Sequence, residues 1–512
     1  MIYFLIFILS LIPRILYTNS LPASLNWDEV SLGYNAYSIL KTGKDEWGIS
    51  LPLIFRAYGD FKLPLYIYLS ILPISILGLN PLSVRFVSII SGAIAPIFIL
   101  LILTKLTKNK TVSFMAALLY SFSPWTIFLS RIALEANLFL TLFIISIYFL
   151  TTKKINLSLF FYSLCLFSYN SSRVILPFYL ILIIYLSIKT KINIKKHLFP
   201  LSFFALSIII FLLQSLDNSG QARFKWVSII DEGAINQINQ LRFTYPRIIA
   251  NKATFFIFKS FGNYISHFNP KFLFKSGGSH YQFNIPQFYL ISPLFFPFFI
   301  YGLFQFIKKK YYLPIFILLI SPIPSSITRD APHTLRSIIF ISIATLISIY
   351  GLITVFSKQI KWFMLLAILI IIVNQIQFWP KYKQYAKDYS SSWQYGYFQM
   401  IDIIKQNYHN YQNIYITKKY GEPHEFILFY WPWSPSDYQN DPNKIWNYHA
   451  NWYWVDAFDK FVFLNDWDIK NYTFPSNSLL ITSPGNYSNQ AKIKETISYP
   501  NNQSVFDIVN YE

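Results

Sequence analysis

About eleven long apolar runs constrain this 512-residue chain more than any other feature of its sequence. In hydrocarbon every backbone polar group must be paired within the protein, so a spanning helix needs about 20 apolar residues. Hydrophobic residues make up 54% of the chain and charged residues only 13%, which fits lipid as the main solvent. The predicted spans are residues 2–18, 82–104, 111–129, 132–151, 156–170, 174–188, 197–216, 287–307, 312–327, 336–356 and 362–379.

Short lysine clusters between the runs predict the topology. By the positive-inside rule they mark the cytoplasmic side, which places the N-terminus in the cytoplasm of a multi-pass protein of the plasma (inner) membrane. All the clusters fall on one side only if the apolar stretch 63–79, which contains Pro64 and Pro73, does not cross the membrane. We therefore predict that this stretch is re-entrant or interfacial. The first run lacks a clear small-residue cleavage site, so we interpret it as an anchor. The clusters are Lys105/Lys108/Lys110, Lys153/Lys154, Lys189/Lys191/Lys195/Lys196, Lys308/Lys309/Lys310 and Lys358/Lys361.

The polar tail is expected to form a separate domain on the other, extracytoplasmic side. Residues 414–417 and 460–464 have the apolar pattern of strands, and residues 400–407 that of a helix. We therefore predict an α-helical polytopic membrane domain over residues 1–380, with re-entrant or juxtamembrane helices in its first outer loop, and a small α/β domain over residues 381–512.

The predicted topology also explains the excess of basic residues. The chain has 43 Lys and Arg against 23 Asp and Glu, but much of the excess lies in the short clusters between spans, so we expect no nucleic-acid partner. The single cysteine, Cys165, lies in an apolar run and excludes both an intramolecular disulfide and a cysteine-based zinc cluster.

An acidic pair, Asp28 and Glu29, follows the first span, with Tyr34 and Tyr37 at helical spacing after it. A carboxylate beside a membrane is costly to desolvate unless water, a metal or a cation accompanies it, and it could take a proton from an acceptor hydroxyl. An acid pair stabilised by the dipole of a helix N-terminus is an equally good interpretation from spacing alone.

Asp60 and Lys62 precede Pro64, at the entry of the stretch 63–79. Since proline favours the first turn of a helix, these charges are expected to cap that helix in the membrane interface. Snorkelling of Lys62 to the lipid surface explains its position as well.

Ionisable residues recur at or just inside the predicted outer ends of spans. One arginine in such a place is more often an interfacial anchor, but several on one face indicate a site that grips phosphate through the planar guanidinium fork. These residues are Arg85, Arg131, Glu135, Arg173 and Arg336.

The connection 322–336 between two spans places Arg329, Asp330, His333 and Arg336 among hydroxyl residues, which suits a lipid-borne phosphate. His280, in the predicted loop 217–286, could add a contact. These histidines are too dispersed for a zinc site, so we predict no metal ligands.

Several motifs, in order and on one predicted face, resemble the C superfamily of integral-membrane glycosyltransferases. The resemblance is to bacterial relatives of the protein O-mannosyltransferases (glycosyltransferase family 39) and of the aminoarabinose transferase, and it covers about residues 1–380. Leu63 departs from the pattern, since many relatives have a second proline there. The motifs are the pair Asp28-Glu29, "KLPLY" (62–66), "RFVSIISG" (85–92), "SRIALEANL" (130–138), "YNSSRVILP" (169–177) and "TRDAPHTLR" (328–336).

The resemblance implies an enzyme that moves a hexosyl or pentosyl group from a polyprenyl-phosphate carrier to a protein, lipid or glycan of the cell envelope, with inversion at the outer face. Asp28 would be the base and Glu29 would orient it or the acceptor. Arg85, with one or more of Arg131, Arg173, Arg329 and Arg336, would stabilise the leaving phosphate. No particular cofactor follows from the resemblance, since a carboxylate pair can serve with or without a divalent cation. The other residues expected to bind substrate are Asp60, Lys62, Tyr66, Glu135, Tyr169, His280, Asp330 and His333.

Two other functions are also compatible with a multi-pass membrane protein of this kind. A lipid-linked polysaccharide polymerase or ligase would also have arginines on the outer face, but would prefer a diphosphate-linked donor and lack the early acid pair followed by "PLY". A polysaccharide flippase or transporter would need polar residues through mid-bilayer, where this sequence has mainly Ile, Leu and Phe.

Overall fold

The structure is a computed structural model that describes residues 1–190, 198–216, 221, 226–489 and 491–511. Lys191, Lys195 and Lys196 of one predicted lysine cluster lie outside these residues, as do parts of the predicted loop 217–286.

Helices make up most of the chain up to residue 388, and a β-sheet with further helices follows. The helices of the first part are α1 (Ile2–Ile15), α2 (Trp27–Thr42), α3 (Pro64–Leu77), α4 (Pro81–Thr107), α5 (Lys110–Ser121), α6 (Pro124–Ser130), α7 (Glu135–Thr151), α8 (Ile155–Leu166), α9 (Ser171–Thr190), α10 (Leu198–Leu216), α11 (Glu232–Leu241), α12 (Lys252–Ser266), α13 (Phe296–Lys308), α14 (Tyr312–Ile320), α15 (Ile323–Ser326), α16 (Ile338–Val355) and α17 (Ile360–Asp388). The later helices are α18 (Tyr397–Asn407), α19 (Pro423–Tyr430) and α20 (Pro435–Gln439). The strands are β1 (Phe55–Arg56), β2 (Phe61–Lys62), β3 (Asn413–Thr417), β4 (Ile445–His449), β5 (Trp452–Phe458), β6 (Phe461–Leu464), β7 (Ser478–Thr482), β8 (Lys492–Ser498) and β9 (Ser504–Tyr511).

Each predicted apolar run coincides with an apolar helix or a bent pair of helices. Within the described residues, α4, α16 and α17 are long and apolar enough to cross a membrane, and α5 with α6 would make a fourth span. The other runs contain apolar helical segments of 10–17 residues, such as Ser171–Leu186 within α9 and Pro200–Leu216 within α10. The mostly helical architecture with a C-terminal sheet is therefore confirmed, whereas eleven spans and their sidedness remain predictions.

The run 111–129 is predicted as one span, and the structure divides it into α5 and α6, with a bend of 59° between them. Pro124 is the first residue of α6. Because proline has no backbone N–H and restricts the residue before it, the helix ends ahead of it and a new one starts.

The chain divides into two compact units, while the division into a membrane domain and a tail domain at residue 380 stays a prediction. Unit 1 comprises Met1–Leu16 and Ser88–Lys381, and unit 2 comprises Tyr17–Val87 and Tyr382–Glu512. Unit 2 therefore combines the first large hydrophilic stretch, including α2 and α3, with the tail.

Unit 1 is a helical body in which glycine permits close backbone approach. A Cβ atom on Gly302 of α13 would collide with the carbonyl oxygen of Ile347 in α16, and one on Gly351 of α16 with that of Phe298 in α13. Small residues at such crossings let helices pack without a hydrophobic driving force, as membrane helices require.

Unit 2 contains a seven-stranded sheet in the order β4-β5-β6-β3-β7-β9-β8. Strand β3 is parallel to β6 and β7, and the other neighbours are antiparallel. The central strands β3 and β7 are almost fully buried. The predicted strands 414–417 and 460–464 correspond to β3 and β6, and the predicted helix 400–407 to the end of α18.

Candidate functional site

Glu29 holds the start of α2 in unit 2. The Asn26 side chain accepts a hydrogen bond from the Glu29 backbone N–H (2.9 Å), and the Glu29 carboxylate accepts one from the Asn26 N–H (3.3 Å). This reciprocal capping box satisfies two backbone donors that a helix start otherwise leaves unpaired. Of the two interpretations of the acid pair, the one in which an acid stabilises a helix N-terminus therefore applies to Glu29.

Arg85, near the start of α4, forms a forked ion pair with the same carboxylate. Its Nε lies 2.8 Å from Glu29 Oε1 and its Nη2 lies 2.9 Å from Glu29 Oε2. Its remaining hydrogen bonds go to the backbone carbonyls of Thr18 (2.8 Å) and Ser24 (2.7 Å). Since both charged side chains are at most 1% exposed, the pair joins α2 to α4 in the interior of unit 2.

Asp28, the neighbouring acid, is accessible instead. Its side chain is 40% exposed, and its Oδ1 lies 2.5 Å from the Nζ of Lys62, whose side chain is 10% exposed. Lys62 is presented by β2, which pairs with β1 in a short antiparallel hairpin. The structure therefore brings together two of the sequence-predicted site residues as an accessible carboxylate with a neighbouring cation.

Aromatic side chains fix the backbone next to Asp28. The Tyr58 hydroxyl donates to the carbonyl oxygen of Trp27 (2.6 Å), and the Tyr58 ring stacks on Trp452 at 5.5 Å between centroids. Gly421 has φ +127°, and a Cβ atom there would lie 2.6 Å from the Trp27 ring. A side chain at residue 421 would thus both strain the backbone and displace Trp27.

Asp60 and Tyr66 make structural contacts in the same unit. Asp60 accepts a hydrogen bond from the Phe61 N–H (2.7 Å), where the β1–β2 hairpin turns. The buried Tyr66 hydroxyl donates to the carbonyl oxygen of Val84 (2.9 Å), which ties α3 to α4.

A buried carboxyl pair, Glu46 and Glu425, was missed by the sequence analysis. Both side chains are 1% exposed and they hydrogen-bond to each other. Burial, together with the charge of Asp45, raises the pKa of Glu46 to about 8. Burial and then the charge of Glu46 raise the pKa of Glu425 well above its usual value. Because burial disfavours the ionised form of a carboxyl group, both groups bind a proton at a higher pH than an exposed glutamate does.

Glu422 lies just before α19 and His424 lies in its first turn, close to this pair. Burial raises the pKa of Glu422 to about 7, and the Trp452 indole N–H donates to this carboxyl. Burial, assisted by the charges of Lys418 and Lys444, lowers the pKa of His424 to about 3. The imidazole is therefore neutral, and its 3.6 Å separation from Glu422 is not an ion pair at neutral pH. Residues so far apart in sequence as 46 and 425 give no spacing signal, so only the fold reveals this polar cluster.

A cavity of about 1010 Å³ also lies within unit 2. Its wall includes Leu25, immediately before the cap of α2, and Arg85. Lys383 and Lys387, one turn apart near the end of α17, add two cations. Apolar side chains complete much of the wall; they include Leu21, Leu79, Leu82, Phe398 and Phe429. The cavity therefore combines positive charge with apolar surface.

In unit 1, the predicted phosphate-binding Arg131 is fully buried. Its Nη1 donates to the carbonyl oxygens of Pro13 (2.8 Å) and Arg14 (3.2 Å), at the end of α1, and its guanidinium lies 5.4 Å from the Trp379 ring centre. Arg14, which the sequence analysis did not single out, is also fully buried and donates to Ser121. Both arginines bind the protein's own backbone and hydroxyl groups.

Arg173, Glu135 and Tyr169 lie near helix ends in unit 1, as predicted. Arg173 donates to the Gln214 side chain (2.6 Å). Glu135 is the first residue of α7. The Tyr169 ring lies 6.0 Å from that of Phe139, also in α7. The Arg173 contact joins α9 to α10, and the Tyr169 contact joins the turn before α9 to α7.

The connection 328–336 brings its own charges together. Asp330 lies 3.9 Å from Arg329 and 3.8 Å from Arg336, and Arg336 also donates to the Thr328 hydroxyl (2.8 Å). The side chains of Arg329 and Asp330 are 41% and 51% exposed, whereas that of Arg336 is 11% exposed. This loop thus presents one exposed arginine beside a carboxylate.

His280 and His333 are also neighbours in unit 1, with ring centroids 5.7 Å apart. The Phe283 ring lies 4.3 Å from His280 and 5.4 Å from His333. Across the part of the chain that the structure describes, no group of three or more His, Cys, Asp or Glu side chains is placed to hold a metal ion.

No protein-family model matches this sequence, and no curated protein has significant sequence similarity to it. Among solved structures, ArnT from Cupriavidus metallidurans bound to undecaprenyl phosphate matches with a TM-score of 0.52 at 9% identity, over 99% of this chain and 97% of that chain. The archaeal oligosaccharyltransferase AglB from Archaeoglobus fulgidus, in complex with an inhibitory peptide and a dolichol-phosphate, matches with a TM-score of 0.46 at 14% identity, over 83% of this chain. The present chain spans 63% of the length of that protein.

Both neighbours have the GT-C fold of membrane glycosyltransferases. The likeness to ArnT extends over nearly the whole of both chains, which shows that the present chain has this fold. The resemblance predicted from short motifs is therefore confirmed for the fold, and the apolar helices agree with a membrane protein.

Proposed function

We propose that this chain, which has the fold of GT-C membrane glycosyltransferases, transfers a sugar from a polyprenyl-phosphate carrier to an acceptor of the cell envelope. The observation that supports this most directly is the accessible Asp28 carboxylate beside Lys62, at the start of a helix held rigidly by Glu29 and Arg85. A base that acts on a bound hydroxyl must be reachable by substrate and fixed in position, and Asp28 meets both conditions.

In the proposed reaction, the Asp28 carboxylate takes the proton of the acceptor hydroxyl while the hydroxyl oxygen attacks the anomeric carbon of the donor. The bond from that carbon to the phosphate oxygen breaks, and its electron pair leaves with the polyprenyl phosphate. A single displacement inverts the anomeric configuration. Lys62, whose Nζ lies 2.5 Å from Asp28 Oδ1, orients this carboxylate towards the acceptor hydroxyl.

The two neighbouring acids, Asp28 and Glu29, have different proposed roles. Glu29 is a positioning residue, because its carboxylate is buried against Arg85 and the backbone of Asn26. Arg85 acts with it, since its hydrogen bonds go to Glu29 and to two backbone carbonyls. Arg85 therefore supports the acid site and is not our first candidate for the phosphate.

We assign the lipid phosphate to the cavity of unit 2. Lys383 and Lys387 supply positive charge, and the leucine and phenylalanine side chains of the wall suit an isoprenoid chain. In unit 1, the exposed Arg329 is the proposed anion contact of the connection 328–336, with Asp330 and Arg336 fixing its position. Substrate binding by Asp60, Tyr66, Arg131, Glu135, Tyr169, Arg173, His280 and His333 remains a prediction, as does use of a divalent cation.

The proposed function requires a particular orientation of the chain in the membrane. We propose a plasma-membrane protein with a cytoplasmic N-terminus and with Asp28, Asp330 and the tail on the extracytoplasmic side. Single cysteines at positions 28 and 330, in a Cys165→Ser background, should react with a membrane-impermeant maleimide in intact cells. Labelling from opposite sides of the membrane would contradict the proposed topology.

Donor use tests the proposed function. The purified full-length chain is placed in lipid vesicles with an envelope-glycan fraction as the acceptor. The labelled sugar is supplied either as its undecaprenyl-phosphate derivative or as a nucleotide sugar. We expect transfer from the lipid donor alone, and transfer reduced at least ten-fold by Lys383→Gln/Lys387→Gln. Lys381→Gln, on the same helix but outside the cavity wall, is the matched control. Transfer from the nucleotide sugar would overturn the donor class. Mass analysis of envelope glycans in a deletion strain then identifies the acceptor.

A further inference from the structure

A second large cavity lies within unit 1, at the ends of several apolar helices. It has a volume of about 630 Å³ and is lined by residues of α4, α7, α9, α14 and α16, together with the turn between α13 and α14. Its floor consists mainly of aliphatic side chains, such as Leu103, Ile147, Ile317 and Ile347. We call it the lysine-end groove, because its rim contains Lys105 and Lys310, members of two of the predicted lysine clusters.

The lysine-end groove is too large and too apolar to hold only water. Apolar cavities stay dry, and an engineered cavity of about 150 Å³ holds one benzene molecule. The groove is roughly four times as large. A narrow extension of about 50 Å³ shares Ile102, Ile343 and Leu346 with the groove and reaches further along the helices. A flexible acyl chain fits this elongated shape.

The rim of the groove has the residues of a membrane interface. Tyr185 and Tyr312 are 56% and 60% exposed, and tyrosines are enriched where hydrocarbon meets headgroups. Lys105 and Lys310 are also exposed. The Lys105 ammonium donates to the carbonyl oxygen of Thr151, at the end of α7, which fixes this cation at the rim.

Among the described residues that line the groove, the ionisable groups with full charge at neutral pH are both cations. An anionic headgroup is therefore favoured over a neutral or zwitterionic one, by about 1 kcal/mol for each lysine near the membrane surface. That corresponds to roughly a five-fold preference per lysine.

We infer that the lysine-end groove binds one anionic glycerophospholipid of the surrounding bilayer, with an acyl chain along the apolar floor and the phosphate between Lys105 and Lys310. The site lies entirely within unit 1 and is distinct from the cavity of unit 2 that we assign to the donor. The bound lipid would fill space between α4, α9 and α16 that the side chains leave open, and so stabilise their packing.

Native mass spectrometry of the purified full-length chain tests this inference. Micelles of dodecyl maltoside are titrated with phosphatidylglycerol, phosphatidylcholine or undecaprenyl phosphate. We expect one phosphatidylglycerol to be retained with at least five-fold preference over phosphatidylcholine, and Lys105→Gln/Lys310→Gln to abolish that preference. Lys358→Gln/Lys361→Gln removes the same charge from a cluster outside the groove and should leave the preference unchanged.

A groove-filling substitution provides a second readout. Leu346→Trp should reduce retention of phosphatidylglycerol and phosphatidylcholine alike, because the indole occupies the acyl-chain space. The thermal unfolding midpoint of each variant without added lipid shows whether it is folded. Equal retention by the wild type and Lys105→Gln/Lys310→Gln would overturn the inference. Displacement of phosphatidylglycerol by an equal amount of undecaprenyl phosphate would also overturn it, by showing that the groove accepts an isoprenoid phosphate equally well.

Discussion

Replacing Glu29 by glutamine should destabilise unit 2 far more than replacing the adjacent Asp28 by asparagine. Glu29→Gln keeps the shape of the side chain and the capping box, since glutamine can also accept the Asn26 N–H. It removes the counterion of Arg85, which is 1% exposed. An ion pair at 4 Å in an effective dielectric of about 20 is worth about 4 kcal/mol, and leaving one buried partner uncompensated costs about 3–5 kcal/mol.

Thermal unfolding of the purified protein in detergent measures this cost. With about 2–4 °C per kcal/mol, the midpoint of Glu29→Gln should fall by roughly 10 °C. Asp28→Asn disrupts a pair whose carboxylate is 40% exposed, so its effect should stay within about 1 kcal/mol. The double variant Glu29→Gln/Arg85→Met should recover part of the loss, because it leaves no unpaired charge. A Glu29→Gln midpoint within 2 °C of the wild type would refute this reasoning.

Two further predictions concern stability. Because burial raises the pKa of Glu46 from 4.5 to about 8, the folded state holds a proton that the unfolded chain releases. Stability should therefore fall as the pH rises from about 4.5 to about 8, and Glu46→Gln should flatten this dependence in unfolding midpoints measured across that range; an unchanged slope would contradict the raised pKa of Glu46. Gly351→Ala should lower the midpoint by several degrees, because its Cβ atom would collide with the Phe298 carbonyl oxygen in α13. Gly262→Ala, in α12 with open space at the Cβ position, should be neutral or slightly stabilising, so equal midpoints for the two variants would show that the α13–α16 contact is not tight.

The positions of the membrane helices could be predicted because their signal is local. A run of apolar residues near 20 long is visible without knowledge of its neighbours, and each such run coincides with one apolar helix or with two consecutive ones. The bend at Pro124 was implicit in the same sequence, yet hydropathy alone merged α5 and α6 into one run. The tail was harder, since β4, β5, β7, β8 and β9 depend on pairing between distant segments.

The roles of the acidic residues depended on contacts that sequence spacing does not encode. The pair Asp28-Glu29 was visible as a motif, but its division into an accessible and a buried carboxylate comes from Lys62 and Arg85, which lie on other elements. Glu46 and Glu425 gave no signal, because neither belongs to a motif and their proximity requires the folded unit 2. Arg85, Arg131 and Arg173 lie near helix ends in the structure, and the backbone carbonyls that accept hydrogen bonds from Arg85 and Arg131 could be identified only there.

The most direct test of the account compares sugar transfer by the wild type, Asp28→Asn and Asp402→Asn in vesicles supplied with labelled undecaprenyl-phosphate sugar. Asp402 of α18 lies outside the proposed site; its side chain is 43% exposed and pairs across one helical turn with Lys405 at 3.8 Å. Loss of a general base typically costs about 100-fold or more in rate, or roughly 3 kcal/mol of barrier. We predict at least a 100-fold loss for Asp28→Asn with an unfolding midpoint within about 4 °C of the wild type, and wild-type transfer by Asp402→Asn. Equal transfer by Asp28→Asn and the wild type would contradict the central claim.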